Sequence, residues 1–557
     1  MLHNHSYYTL LSGAIPVATL TAEARKAGYS ALALTDLNNM YGLVRFSKSA
    51  AEEGIKPIFG ATIDDPKDTA MRAVFLARNN QGYARLCSII TTRKLKEDFS
   101  LADVFTQDLS DMFVLISSLQ LLQTLKRRGL LRPNIYAELV STKKLKPDAR
   151  RLYEFCSENS VRFVASHPAV FLRPEDYLLH KVLTAIRLNS TLANLTESDL
   201  ADEEFCFRSY DSLCRLWRVF PEALENMSRI ADDCNVDLEI GKYKFPVFPL
   251  PDGETSFSYL WKLCFRGLEE LYGSITGEVI QRLQYELSVI EKLNFCDYFL
   301  IVWDIVKQAR RRGVLSIGRG SAANSLVAYC LGLSQVEPVS NNFYFERFLN
   351  MGRTSPPDVD LDFSWKERDE VVRYVYEKYG YSNVAMISTT VTFRARSAFR
   401  ETAKVFGISE NEISRYTKFI PWTAAQNLPD ISRKFPESAS LKFDHEPWSS
   451  IVRIASALAD YPRHLSIHPS GIVVAPGKIT NHLALEYAKN KGLGLIITQP
   501  DMYSVEDLGL VKIDLLSQRS LGVLRDTLTQ IKRNSAGRVI SGNKKTPVAQ
   551  CVRTDFD

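Results

Sequence analysis

The chain is predicted to be a multidomain α/β protein: an N-terminal barrel or parallel sheet, then a mixed α/β domain split by a mainly helical insertion. Three observations predict this. Short apolar runs alternate with helical periodicity from Leu2 to about Pro174, the pattern of repeated strand–helix units. The run KYKFPVFPLPDG at 242–253 carries three prolines, which cannot continue a helix and mark a boundary. Beyond it, helical and strand-like segments flank a helical stretch, Phe393 to Tyr461, broken at Pro421, Pro429 and Pro436.

In chain order, strands are expected at Ala31–Leu34, Ile55–Phe59, Ala73–Leu76, Met112–Ile116, Ile135–Leu139 and Arg162–Ala165, with a helix over Leu43–Ala51. Helical periodicity resumes from Ser256 to Leu293, and a strand-bearing unit follows around Gly313 to Asp362. Strand signals return at Gly471–Ala475, Gly494–Thr498 and Leu510–Leu515. The tail after Arg533 is polar and reads as irregular.

A length of 557 residues is enough for three or more folded units. Apolar residues make up 45% and charged residues 24%, and no run reaches the ~18 uncharged apolar residues a membrane span requires. The opening Met-Leu-His-Asn-His is not a secretory signal, and the nine cysteines form no Cys-x-x-Cys pair, so a reducing cytoplasm is expected. A net charge of +5 means that contact with nucleic acid must come from a local patch.

Three segments carry chemistry. In Pro357-Asp358-Val359-Asp360-Leu361-Asp362-Phe363, a strand puts three carboxylates on one face and apolar side chains on the other. Such a cluster needs divalent cations or protons, and hard oxygen donors favour Mg²⁺ or Mn²⁺; a solvated edge strand is the alternative. Upstream, Ser316-Ile-Gly318-Arg319-Gly320-Ser321 reads as a strand, a Gly-rich turn and a helix beginning near Ser321, which suits a phosphate; a plain strand–turn–helix is the alternative. In Gly509-Leu-Val-Lys512-Ile-Asp514, Lys512 and Asp514 share a strand face. This order of phosphate turn, paired aspartates and a later single aspartate meets the needs of two-metal nucleotidyl transfer. Arg394, Arg396 and Arg400 could follow a duplex backbone or line a solvated helix face.

The runs YFLIVWDIV (298–306), GRGSAANSLVAY (318–329), FERFLN (345–350), PPDVDLDF (356–363) and GLVKIDLL (509–516) resemble the palm motifs of bacterial family C DNA polymerases, the DNA polymerase III alpha-subunit family. The resemblance implies that Asp358, Asp360 and Asp514 bind two Mg²⁺ ions, with Asp362 the lesser member of its motif. It further implies that Gly318, Arg319, Gly320 and Ser321 hold the triphosphate, that Lys512 lies near the reacting phosphate, and that Arg394, Arg396 and Arg400 meet DNA. Arg-Ala-Arg-Ser-Ala (394–398) and His464-Leu-Ser-Ile-His-Pro-Ser-Gly are similar to the error-prone branch.

His3-Asn-His5 and Leu34-Thr-Asp36 resemble the PHP domain (polymerase and histidinol phosphatase), whose active members hold a trinuclear metal site. Here Thr62, Arg72, Pro168 and Val170 stand where further ligands are expected. The resemblance therefore implies a structural barrel with a vestigial site at His3, His5 and Asp36 and no resident metal.

The expected organisation is a PHP-type (β/α) barrel over 1–245, a nucleotidyltransferase-like palm over 255–391 and 464–530, a helical thumb over 392–463 and an irregular tail over 531–557. The family's fingers domain follows the Lys-x-Asp strand, and the tail does not resemble its start. The expectation is a truncated or split polymerase core acting on primer-template DNA and dNTP, completed by a fingers polypeptide and a sliding clamp. The rival functions are a metal-dependent phosphoesterase in the barrel and a non-catalytic DNA-binding scaffold.

Overall fold

The structure, a computed structural model, describes residues 1–352, 357, 359–488 and 495–536. They divide into two compact units. The first comprises Met1–Val247 and Tyr379–Lys512; the second comprises Phe248–Lys378 and the described residues from Ile513 on.

The first unit opens with β1 (Ala31–Leu34), β2 (Lys56–Asp64), β3 (Arg72–Ala77), β4 (Met112–Ile116), β5 (Ile135–Val140) and β6 (Arg162–Ser166), which form one sheet in that order. The strands are almost wholly buried, which is why they read as continuous apolar runs rather than alternating ones. β1–β2, β4–β5 and β5–β6 are parallel, but β3 runs antiparallel to both neighbours, against the all-parallel expectation. The cause is the short link after β2, where Asp65 N–H donates to Met71 O at 2.9 Å; a tight turn makes a hairpin, whereas a parallel pair needs a long crossover.

The first residues close the sheet. Met1 O and Asn4 O accept from Ala33 and Thr35 N–H, each at 2.9 Å, while His5 N–H donates to Ala169 O at 2.8 Å and Ala169 N–H to His3 O at 3.2 Å. The opening segment thus bonds to β1 on one side and to the residues after β6 on the other, and it carries His3 and His5 into the barrel mouth.

Further strands follow: β7 (Ser316–Arg319), β8 (Asp360–Ser364), β9 (Val384–Thr392), β10 (Pro462–Val474), β11 (Leu485–Tyr487), β12 (Ile496–Asp501) and β13 (Lys512–Gln518). Within the first unit, β9 pairs antiparallel with β10 and parallel with β12, which pairs antiparallel with β11. A polar seam joins these strands to the barrel. Gln499 Oε1 accepts from Met40 N–H at 3.0 Å, Tyr41 Oη donates to Glu486 at 2.6 Å, and Arg45 pairs with Asp501 at 2.8 Å.

The insertion between β9 and β10 is helical, including Ala395–Val405, Glu410–Thr417 and Trp448–Ala457. Phe393, Phe399, Ile451 and Trp448 bury themselves with Ala14, Val170 and Phe171 of the barrel. Val170, which stands where a metal ligand was expected, therefore serves packing. In the second unit the helices Ser256–Leu271, Gly277–Lys292 and Cys296–Arg311 accompany β7, β8 and β13. The helix Arg519–Ala536 runs through 531–536, which was expected to be irregular; 537–557 lie outside the described residues. Among the described residues no helix is long and apolar enough to cross a membrane.

Tyr461 Oη donates to Ala14 O at 2.8 Å, tying the insertion to the barrel. Tyr461→Phe is expected to lower stability by about 1–2 kcal/mol, because a buried carbonyl loses its donor; a shift of the urea midpoint of the full chain checks this.

Candidate active site

The acidic segment folds as its alternation predicts. Val359, Leu361 and Phe363 are buried at 1%, 0% and 0% exposure, while Asp360 and Asp362 face the other side, half-buried. Asp358 lies outside the described residues. β8 lies between β13 and β7, parallel to the first and antiparallel to the second. The registers set Asp514 directly beside Asp360 and Arg319 on its other flank. Paired residues on neighbouring strands project from the same face, so Arg319, Asp360 and Asp514 form one row across three strands. Asp514 is 5% exposed.

Arg319 Nε lies 3.6 Å from Asp360 Oδ2 and 3.6 Å from Asp362 Oδ1. These are ion-pair distances outside hydrogen-bonding reach. The turn beyond β7 approaches the row closely. Gly320 has φ +74°, and a Cβ there would sit 3.9 Å from Asp360 Oδ2; a Cβ at Gly318 would meet Leu333 O at 1.9 Å. Gly320 answers a backbone requirement, and Gly318 a packing one.

The expected helix start at Ser321 is corrected. Residues Gly320–Asn324 form a 3₁₀ turn, and the α-helix begins only at Leu326 and ends at Cys330. Ser325 causes the break: its backbone is extended, and its Oγ accepts from Ala328 N–H at 3.1 Å as an N-cap. A 3₁₀ turn, rather than the start of a long helix, therefore follows β7 beside the row.

A residue that sequence reasoning missed holds this turn. Glu286 is fully buried and accepts from Ser325 Oγ at 2.8 Å, Leu326 N–H at 3.0 Å, Val327 N–H at 3.1 Å and Arg282 Nε at 2.6 Å. Arg282 also donates to Asn324 O and Phe343 O. Burial pushes the Glu286 carboxyl above its ordinary range, against the pull of these donors. The available signal was an acidic residue at a core position of an amphipathic helix.

Lys512 opens β13, half-buried, with Nζ 3.9 Å from Glu506 Oε1. The three arginines of the insertion do not form an open row. Arg396 donates to Ile420 O at 3.2 and 2.6 Å, Arg400 is ion-paired with Glu410, and Arg394 pairs with Asp460 at 3.2 Å.

The barrel mouth brings His3, His5 and Asp36 together with Glu138, also missed in the sequence. His3 Nδ1 is 2.7 Å from Glu138 Oε1, and His3 Nε2 is 3.0 Å from His5 Nε2. His5 Nδ1 meets Thr9 Oγ1 at 2.9 Å, and Asp36 accepts from Thr9 Oγ1, Ser6 Oγ and Ser6 N–H at 2.7, 2.8 and 2.7 Å. Burial raises the Asp36 carboxyl to about 7, against these donors, while burial and then His3 lower His5. Thr62 donates its hydroxyl to Thr35 O at 2.9 Å. Among the described residues no group of three or more His, Cys, Asp or Glu side chains is arranged to hold a metal ion.

Residues 258–517 match the family model described as the bacterial DNA polymerase III alpha NTPase domain, and residues 1–156 match the PHP domain. The chain is 34% identical over 554 residues to the DNA polymerase III subunit alpha of Bacillus subtilis (strain 168), covering 96% of this chain and 49% of that protein. It is 34% identical over 555 residues to the corresponding subunit of Halalkalibacterium halodurans, covering 95% and 49%. It is also 34% identical over 572 residues to the error-prone DNA polymerase of Symbiobacterium thermophilum, covering 95% and 52%. The chain thus spans about half the length of these relatives.

Glu286→Ala is expected to cost about 3 kcal/mol or more, since it strands several buried donors at about 1–3 kcal/mol each. Glu286→Gln is expected to cost less. Urea unfolding followed by tryptophan fluorescence checks the order.

Proposed function

Because the chain belongs to the bacterial DNA polymerase III alpha-subunit family, we propose that it carries the carboxylate core of a DNA-directed DNA polymerase. The reaction is nucleotidyl transfer from a dNTP to a primer 3′-hydroxyl. The observation that carries the reading is the register placing Asp514 beside Asp360, with Arg319 on the far flank. Two carboxylates on adjacent strands, one 5% exposed, repel each other, and hard cations relieve that repulsion. The donor set fits Mg²⁺, with Asp358 as the third member by its place in the motif. Bound there, two ions would activate the attacking hydroxyl and neutralise charge on the transferring phosphoryl group.

The chain's own residues do the rest. Arg319 retains donors for triphosphate oxygens, which match its fork geometry. Gly320 lets the backbone approach, Gly318 lets its strand pack against Leu333, and the 3₁₀ turn through Ser321 offers N–H groups and a hydroxyl. Lys512, on the strand of Asp514, takes the place nearest the reacting phosphate. Primer-template DNA lies along the helical insertion, which acts as the thumb. Its arginines each have a partner within the insertion, Arg394 with Asp460, Arg396 with Ile420 O and Arg400 with Glu410. A surface that closes over the nucleotide and a sliding clamp are the further partners this reading implies.

The barrel is read as a support. This follows from Thr62, Arg72, Pro168 and Val170, which stand where further ligands are expected.

Primer extension with Mg²⁺ measures the proposed activity. Whatever single-nucleotide incorporation is measured should fall by more than about a hundredfold in Asp360→Asn or Asp514→Asn, beyond the loss typical of groups outside the coordination sphere. Mn²⁺ calorimetry should show weakened binding in both variants. Unchanged Mn²⁺ affinity in Asp514→Asn contradicts the assignment.

A further inference from the structure

We infer that Trp422, on the loop between the helices of the insertion, is a stacking platform for an unpaired base of single-stranded DNA. The inference takes DNA as its ligand from the polymerase reading. Trp422 is 87% exposed, whereas tryptophan is ordinarily among the more buried residues of a folded chain. Phe419, three positions earlier, is 45% exposed. Two large aromatics exposed on one short loop mark a binding surface rather than a stray surface residue.

The loop that displays them is fixed in place. Ala395 N–H donates to Thr423 O at 3.0 Å, Arg396 holds Ile420 O from two nitrogens, and Asn427 Nδ2 donates to Thr423 Oγ1 at 2.9 Å. Ile420 and Ala425, on either side of the tryptophan, are fully buried. The backbone is therefore anchored on both sides of a side chain left in solvent. A rigid display of this kind spares the ordering cost that a loop otherwise incurs on binding.

The charges nearby identify the ligand. Arg394 Cζ sits 6.0 Å from the Trp422 ring centroid, a cation–π geometry. Lys434 Nζ bonds Asn427 Oδ1 at 2.9 Å, which brings a second cation to the same bonded loop. Lys418 is exposed beside Phe419. Asp460 is an acidic group at this site, paired with Arg394. Aromatic faces interleaved with cations suit a strand whose bases stack and whose phosphates are neutralised. Arg394 covers one part of the indole and leaves the rest to a base.

The test measures binding of the full chain, in EDTA, to a fluorescent oligo-dT 20-mer and to a blunt mixed-sequence duplex. Trp422→Ala is expected to weaken oligo-dT binding about tenfold or more, Trp422→Phe to retain most of it, and duplex binding to stay unchanged. The slope of log affinity against log salt should be the same in Trp422→Ala and shallower by about one in Arg394→Gln. Unchanged oligo-dT affinity in Trp422→Ala, with wild-type melting behaviour, overturns the proposal. An equal loss on duplex also overturns it, since that marks insertion between paired bases. The reading beneath it is separated by Mn²⁺ calorimetry: if Asp514→Asn loses Mn²⁺ while Trp422→Ala keeps oligo-dT binding, the platform fails and the carboxylate core stands. If Trp422→Ala loses oligo-dT while Mn²⁺ affinity is indifferent to Asp514→Asn, the platform stands and the core assignment fails.

Discussion

The parallel pairing of β13 with β8 is the constraint on which the site depends. Asp360 and Asp514 are far apart in sequence, and a one-residue slip in their pairing would turn one carboxylate to the opposite face. The slip is resisted by the other face, where Val359, Leu361, Phe363, Ile513 and Leu515 are all buried. Hydrophobic burial on one side thus fixes an electrostatically unfavourable juxtaposition on the other. Arg368, itself nearly buried, donates Nε to Leu515 O at 3.0 Å and adds a second hold on β13.

Around this row the second unit shows a division of labour. Gly318 and Gly320 allow close approach, and Glu286 anchors the residues just beyond the turn through buried bonds that never touch the row itself. In the first unit the same logic appears in another form. The opening segment that closes the barrel carries His3 and His5, and their partners Glu138, Thr9 and Asp36 lock that segment in place. Side chains suited to metal binding thus lie against one another where the opening segment closes the barrel.

Much of this was legible in the sequence. The six barrel strands were readable because buried strands are continuous apolar runs bounded by turns, and the acidic face of β8 because alternation has a period of two. Antiparallel β3 was not, since strand direction is set by the length of the link at 65–71 rather than by strand composition. The 3₁₀ turn at Gly320–Asn324 escaped because Ser321 and Ser325 are equally good caps on paper, and only tertiary bonds from Glu286 select Ser325. The arginines of the insertion read as one basic stripe, yet Arg396 and Arg400 are committed to Ile420 and Glu410, partners whose nearness no spacing rule reveals.

The central claim, that Asp360 and Asp514 share divalent cations, is tested most directly by replacing Mg²⁺ with Fe²⁺ and mapping peptide cleavage by hydroxyl radicals generated at the bound ion. Cuts are expected to cluster near residue 360 and near residue 514 together, and to be suppressed by excess Mg²⁺. Cuts confined to the barrel mouth around His3, His5 and Glu138, with none at either strand, would contradict it.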